Sequence, residues 1–267
     1  RAYLNNLIIG TRLASDVNNA NTMGMISATG ALLSLWNATL NKKRYCYICF
    51  FACSINTLAC GSRTGFAGYI IGLLLLFVFY DTSGKNSSLK KIAIGVIVLL
   101  LLFIIFSNGM FSGIIDNRYA SILGFLKGDY AKEGSIVDRQ VMIRIGLEQF
   151  GKTPILGLGI GNSSVVVNSY FGSKYLNSYL HNNYVEMLVS LGIIGFVIYY
   201  LMYFYPLFKI AKRYSIRDKY DIAVLTVMFV QLVFDYGTVS YYSKTTYIYI
   251  LLYYMVATRN VHIIANE

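Results

Sequence analysis

The sequence predicts an all-α integral membrane protein of about seven transmembrane helices, with one long extracytoplasmic loop that contains an amphipathic helix. Three observations predict it. Of 267 residues, 56% are hydrophobic and 13% charged, where a soluble domain carries about 25% charged residues. The apolar residues come in long runs, the mark of lipid-facing helices, rather than in amphipathic stripes. The Lys and Arg behind the net charge of +11 sit in short inter-helix segments and form no single patch. That is the pattern of the positive-inside rule, and it excludes a nucleic-acid partner.

Seven stretches read as spans: Thr22–Leu40, Tyr45–Cys60, Thr64–Tyr80, Ile92–Ser107, Tyr184–Phe208, Asp221–Tyr236 and Tyr241–Thr258. Several fall short of the about 20 residues that a hydrocarbon core requires, so interfacial Tyr, Lys and Arg must extend them. Among the 24 tyrosines, Tyr199, Tyr200, Tyr203 and Tyr205 crowd one span end as an aromatic belt would. Cys46, Cys49, Cys53 and Cys60 occupy one helical face and read as packing residues, not as a metal site. The chain opens on Arg1 and is expected to be the C-terminal part of a longer protein.

Orientation follows from the short loops. Lys42, Lys43 and Arg44, then Lys85, Lys90 and Lys91, then Lys209, Lys212, Arg213, Arg217 and Lys219 mark alternate loops as cytoplasmic. Arg63 and Lys244 then lie outside, and so does the stretch 108–183 between a membrane part at 1–107 and another at 184–267. Loops of this length are usually functional. Within it Ser135–Asp138 fits a capping box. Arg139–Phe150 has apolar residues at Val141, Met142, Ile145 and Phe150, which predicts a helix lying on the outer membrane surface. Pro154, Gly157, Gly159 and Gly161 end that helix.

The chemistry-bearing residues gather at the same membrane face. His181, where the loop meets the fifth span, fits either a general base working near neutral pH or an interfacial anchor. Glu186 lies one turn into that span on the face of Asn182, and either orients a site or holds a cationic partner. Arg63 and Arg139 could clamp a diphosphate through bidentate, charge-assisted hydrogen bonds, or could snorkel to the interface. Arg144, Arg118 and Lys152 are further candidates. Gly157–Gly161 lacks the spacing and the preceding strand of a dinucleotide loop, and reads as a turn with close backbone approach. Asp235 is an intramembrane acid for which Lys244 is the candidate partner. Asp129, Glu133 and Asp138 lack an ordered metal-ligand pattern.

Taken in order, four blocks resemble the family of O-antigen ligases and O-antigen and capsular polysaccharide polymerases. They are the Asn-rich stretch from Gly10-Thr-Arg12 to Asn21, Ser62-Arg-Thr-Gly65, Asp138-Arg139 running into Pro154-Ile-Leu-Gly-Leu-Gly159, and His181–Glu186 followed by Leu191–Gly195. The resemblance implies a glycosyltransferase that needs neither metal nor cofactor. It implies an undecaprenyl-diphosphate-linked glycan donor and a glycan or lipid-linked acceptor, at the outer face of the cytoplasmic membrane. Other polysaccharide assembly proteins are possible partners. Arg63 and Arg139 would hold the leaving diphosphate and His181 would activate the acceptor hydroxyl, with Arg12, Arg144, Asn182 and Glu186 assigned to substrate binding. The Ile-, Lys-, Asn- and Tyr-rich composition favours polymerase over ligase. A transporter of lipid-linked sugars is the rival from another class, and the sequence offers it neither inverted repeats nor broken helices. A non-catalytic scaffold is the third reading.

Overall fold

A computed structural model describes residues 19–41, 43–79, 134–172, 178–212 and 219–259. Every regular element among them is a helix: α1 (Ala20–Asn41), α2 (Arg44–Ala59), α3 (Arg63–Phe79), α4 (Gly134–Lys152), α5 (Ser163–Phe171), α6 (Asn183–Lys212), α7 (Lys219–Gly237) and α8 (Lys244–Thr258). The predicted span Ile92–Ser107, the loop residues 108–133 and Arg12 lie outside the described residues.

Two of these helices, α6 and α7, are long and apolar enough to cross a bilayer, and α3 is a shorter apolar helix. The other apolar stretches among the described residues also form helices: α1 has 22 residues, while α2 has 16 and α8 has 15, less than a hydrocarbon core of about 30 Å needs. α8 begins at Lys244, because Ser240–Ser243 is spent on a turn. The lower half of α6 turns Ile194, Val197, Ile198 and Leu201 outward, an apolar strip suited to acyl chains.

α1, α3 and α7 share one core, built from Met25, Leu32 and Trp36, Tyr69 and Leu76, and Ile222, Val230 and Phe234. Gly68 lies against the Phe234 ring and Gly72 against Leu32 and Val230, so small residues let the backbones approach. The Trp36 indole donates to the Lys219 carbonyl at 2.7 Å and ties the opposite ends of α1 and α7 together. A second core joins α6, α7 and α8 around Tyr199, Tyr200, Tyr203, Met228 and Tyr253. The expected aromatic belt is thus largely interior: Tyr199, Tyr200 and Tyr203 are buried, and of the four only Tyr205 is exposed. Cys46 and Cys60 are buried while Cys49 is exposed. Cys60, the C-cap of α2, keeps helical φ −67° and ψ −19°, so the four cysteines follow one register but differ in burial.

A third core holds α4 and α5 against the start of α6. Met142 and Ile145 of α4 pack on Val167 of α5, Leu180, and Val185 and Val189 of α6. The amphipathic helix therefore buries its apolar face against protein, where an outer-surface helix would lay it on lipid. It also starts at Gly134, so Ser135 is its second residue rather than its cap.

α6 is broken. Gly192 has φ 63° and ψ −168°, outside helical space, and Pro154–Gly159 fills the gap. Leu158 and Gly159 donate to the carbonyls of Val189 and Ser190 at 2.8 Å each, and Ile193 donates to Pro154 at 2.9 Å. Every backbone polar group inside a bilayer must find such a partner. The sequence-based expectation of unbroken helices fails here, because a single glycine within an apolar run leaves hydropathy unchanged.

Candidate functional site

Three short segments converge on one cavity. The first is the start of α3. Ser62 caps it, its hydroxyl accepting from the Gly65 N–H at 3.1 Å. A Cβ on Gly65 would stand 2.8 Å from the Gly24 carbonyl carbon, so α1 packs backbone to backbone there. Arg63 is thereby fixed on the first turn of a clamped helix.

The second is α4, whose buried face orients the rest. With Met142 and Ile145 turned into the core, Arg139, Gln140 and Ile143 line the cavity.

The third is the junction before α6. His181 has φ 55°, in the left-handed region, which costs a non-glycine residue about 1–3 kcal/mol. The flanking contacts hold it there. Leu180 is fully buried and its N–H donates to Glu186 Oε2 at 3.0 Å. Asn182 caps α6, its Oδ1 accepting from the Val185 N–H at 3.0 Å, while its Nδ2 donates to the Tyr236 carbonyl. The Asn183 Oδ1 accepts from the N–H groups of Ser240 and Tyr241 at 2.9 and 3.0 Å.

The result is a cavity of about 620 Å³ lined by Arg63 and Thr64, Arg139 and Gln140, His181, and Val233, Tyr236 and Gly237 at the end of α7. Two guanidinium groups and one imidazole thus face a common space. The Tyr179 ring lies 4.3 Å from the imidazole, centroid to centroid, at 50°. Burial, and then the positive charge of Arg139, push the His181 pKa down to about 4. The imidazole is neutral at physiological pH and keeps a lone pair to accept a proton.

Other sequence-predicted residues lie elsewhere. Arg144 is on the outer side of α4, beside Glu148 at 3.8 Å and the Tyr170 hydroxyl at 3.4 Å. Glu186 is buried, 1% exposed, among neutral donors. It accepts from the Ser163 hydroxyl, the Leu180 N–H and the Ser190 hydroxyl, so it ties α5 and the His181 segment to α6. Asp235 does not pair with Lys244. Its carboxylate accepts from Ser240 at 2.6 Å, Tyr200 at 3.1 Å and Asn183 at 3.3 Å, a network of neutral donors suited to an acid that is 0% exposed. Among the described residues no group of three or more His, Cys, Asp or Glu side chains is placed to hold a metal ion.

Sequence reasoning missed Thr64, Gln140 and Tyr236 on the cavity wall. Of these, Thr64 carried a signal, since it stands inside the Ser62–Gly65 block.

A family model described as O-antigen ligase matches residues 48–200. No curated protein matches the chain.

Proposed function

The chain belongs to the O-antigen ligase family, a membrane family of glycan-transferring enzymes, and from that premise we propose that it is a polysaccharide polymerase. It takes an oligosaccharide repeat unit linked to undecaprenyl diphosphate at the outer face of the cytoplasmic membrane and transfers it to a sugar hydroxyl. One observation carries this reading: Arg63, Arg139 and His181, distant in sequence, line the same cavity. Lys209 and Lys212 at the far end of α6 support the outward orientation of that cavity. The domain reading follows, with an extracytoplasmic loop at 108–183 between membrane parts at 1–107 and 184–267.

In the proposed step the acceptor hydroxyl oxygen attacks the anomeric carbon of the donor sugar. The bond from that carbon to the diphosphate oxygen breaks, and the diphosphate leaves with the electron pair. His181 accepts the hydroxyl proton. Arg63 and Arg139 balance the negative charge that develops on the diphosphate, so fixed guanidinium groups do what a divalent cation does in other transferases. The seated diphosphate also offsets the field of Arg139 at His181 and returns the imidazole towards its ordinary basicity. The base is then strongest when the donor is in place.

The family description favours the ligase reading, in which the acceptor is a lipid core. The break in α6 is the feature that would favour a transporter, but its open backbone groups are satisfied by Pro154–Gly159. Reconstitution with a lipid-diphosphate-linked repeat unit separates the three. Chain growth means polymerase, transfer to a lipid core means ligase, and movement across the bilayer without bond formation means transporter. His181→Ala should abolish transfer while the protein still inserts; full activity from that variant would remove the assigned base.

A further inference from the structure

A second cavity, of about 100 Å³, lies between the same ends of α1, α7 and α8. Its wall includes Gln231, Thr238, Ser243, Thr245, Thr246 and Tyr249, and no charged side chain. Gln231 is 8% and Thr246 2% exposed, yet neither side chain hydrogen-bonds to another side chain or to backbone among the described residues. Ser243 stands at the N-cap of α8 without using its hydroxyl as a cap. The polar atoms of these residues open on the cavity and are not sealed in the core, so each amide and hydroxyl keeps its hydrogen-bonding capacity for a molecule that enters. These groups are therefore built to meet a ligand that both donates and accepts hydrogen bonds and carries no charge.

We propose that this cavity is a subsite for a neutral sugar of the acceptor glycan. The proposal rests on the glycosyl-transfer reading above. Hydroxyl and amide groups together with an aromatic residue, here Tyr249 on the cavity wall, are the chemistry that recognises a sugar, which presents hydroxyls at its edge and C–H groups on its face. The site lies on the other side of the last turn of α7 from the arginines. Gln231, Phe234 and Thr238 of one wall and Val233, Tyr236 and Gly237 of the other belong to the same stretch at the end of α7, so the two cavities are neighbours across it. The diphosphate belongs on the arginine side, so the second cavity is left to the partner that brings the nucleophilic hydroxyl.

The test uses the full-length protein in lipid nanodiscs, with Gln231→Leu and Thr246→Val as variants. The transfer assay should give an acceptor KM raised at least about fivefold in each, with donor KM and kcat within about twofold of wild type. Melting temperatures near wild type exclude misfolding. An unchanged acceptor KM in both variants, beside an active wild type, overturns the subsite and leaves a pocket for water. The mild-acid-released oligosaccharide of the host's lipid-linked repeat unit is the second probe, read by saturation-transfer NMR. Its signal should fall in both variants, and an equal signal in all three proteins also overturns the proposal. If the wild type binds this glycan and forms no glycosidic bond with any acceptor, the transfer reading fails while the sugar site stands.

Discussion

Gly192 and Ile155 meet backbone to backbone, the Ile155 carbonyl standing where a Cβ on residue 192 would lie. Gly192→Ala therefore adds a steric clash to a left-handed φ of 63°. The variant should lose at least about 2 kcal/mol of stability, read as a lower melting temperature in detergent. The loop that orients α4 should loosen with it, so transfer should fall although Gly192 lies outside the cavity.

Glu186 makes a different forecast, because its contacts are polar. Glu186→Ala leaves the Leu180 N–H and the Ser163 hydroxyl without their acceptor, at a cost of about 1–3 kcal/mol. Glu186→Gln keeps one carbonyl oxygen as acceptor and should cost less. If Ala and Gln melt together at the wild-type temperature, Glu186 does not hold the His181 segment.

For Arg139 the test is geometric. A guanidinium can bind a diphosphate through two parallel N–H groups and an ammonium cannot. Arg139→Lys should then lose nearly as much transfer activity as Arg139→Ala. Wild-type activity with Lys would reduce the contact to simple charge.

Acid should act on His181 in two ways. Its ordinary pKa is 6.5 and its folded value about 4, so between those values the unfolded chain holds more protons. Stability must therefore rise with pH across that window, and be lost as pH falls from 6.5 towards 4. His181→Gln should flatten this part of the stability curve. In the reaction, the acid limb of kcat/KM reports the free protein and should lie near pH 4. The limb of kcat reports the donor-bound protein and should lie higher, since the diphosphate favours the protonated imidazole. Coincident limbs would show that the diphosphate does not reach the field around His181.

Legibility in the sequence followed the range of the forces involved. Thr22–Leu40, Asp221–Tyr236 and the other apolar stretches among the described residues became helices because burial of apolar surface acts on runs of residues, and runs are visible in a sequence. Arg63, Arg139 and His181 could be picked out because charged and titratable groups at an apolar boundary are conspicuous there. What could not be read were pairings made across the fold. Asp235 seemed to need a cation, whereas three neutral donors from α6 and the α7–α8 turn meet it. The tyrosines of α6 resemble interfacial anchors in composition, and only packing against Tyr253 shows them to be core. α5 was missed because Ser163–Phe171 has nine residues, too few for a periodic pattern to stand out.

The docking of Pro154–Gly159 into the break of α6 has a consequence for biogenesis. The ribosome makes the loop first, and the helix whose gap it fills emerges later. In the broken conformation the carbonyls of Val189 and Ser190 depend on Leu158 and Gly159 for their partners, so this form of the helix needs the loop before it can rest in hydrocarbon. Closing that gap is therefore a late assembly step, and it is also the step that brings Arg139 opposite His181. A half-inserted chain would lack the arranged site, so competence for chemistry would arrive together with completion of the fold.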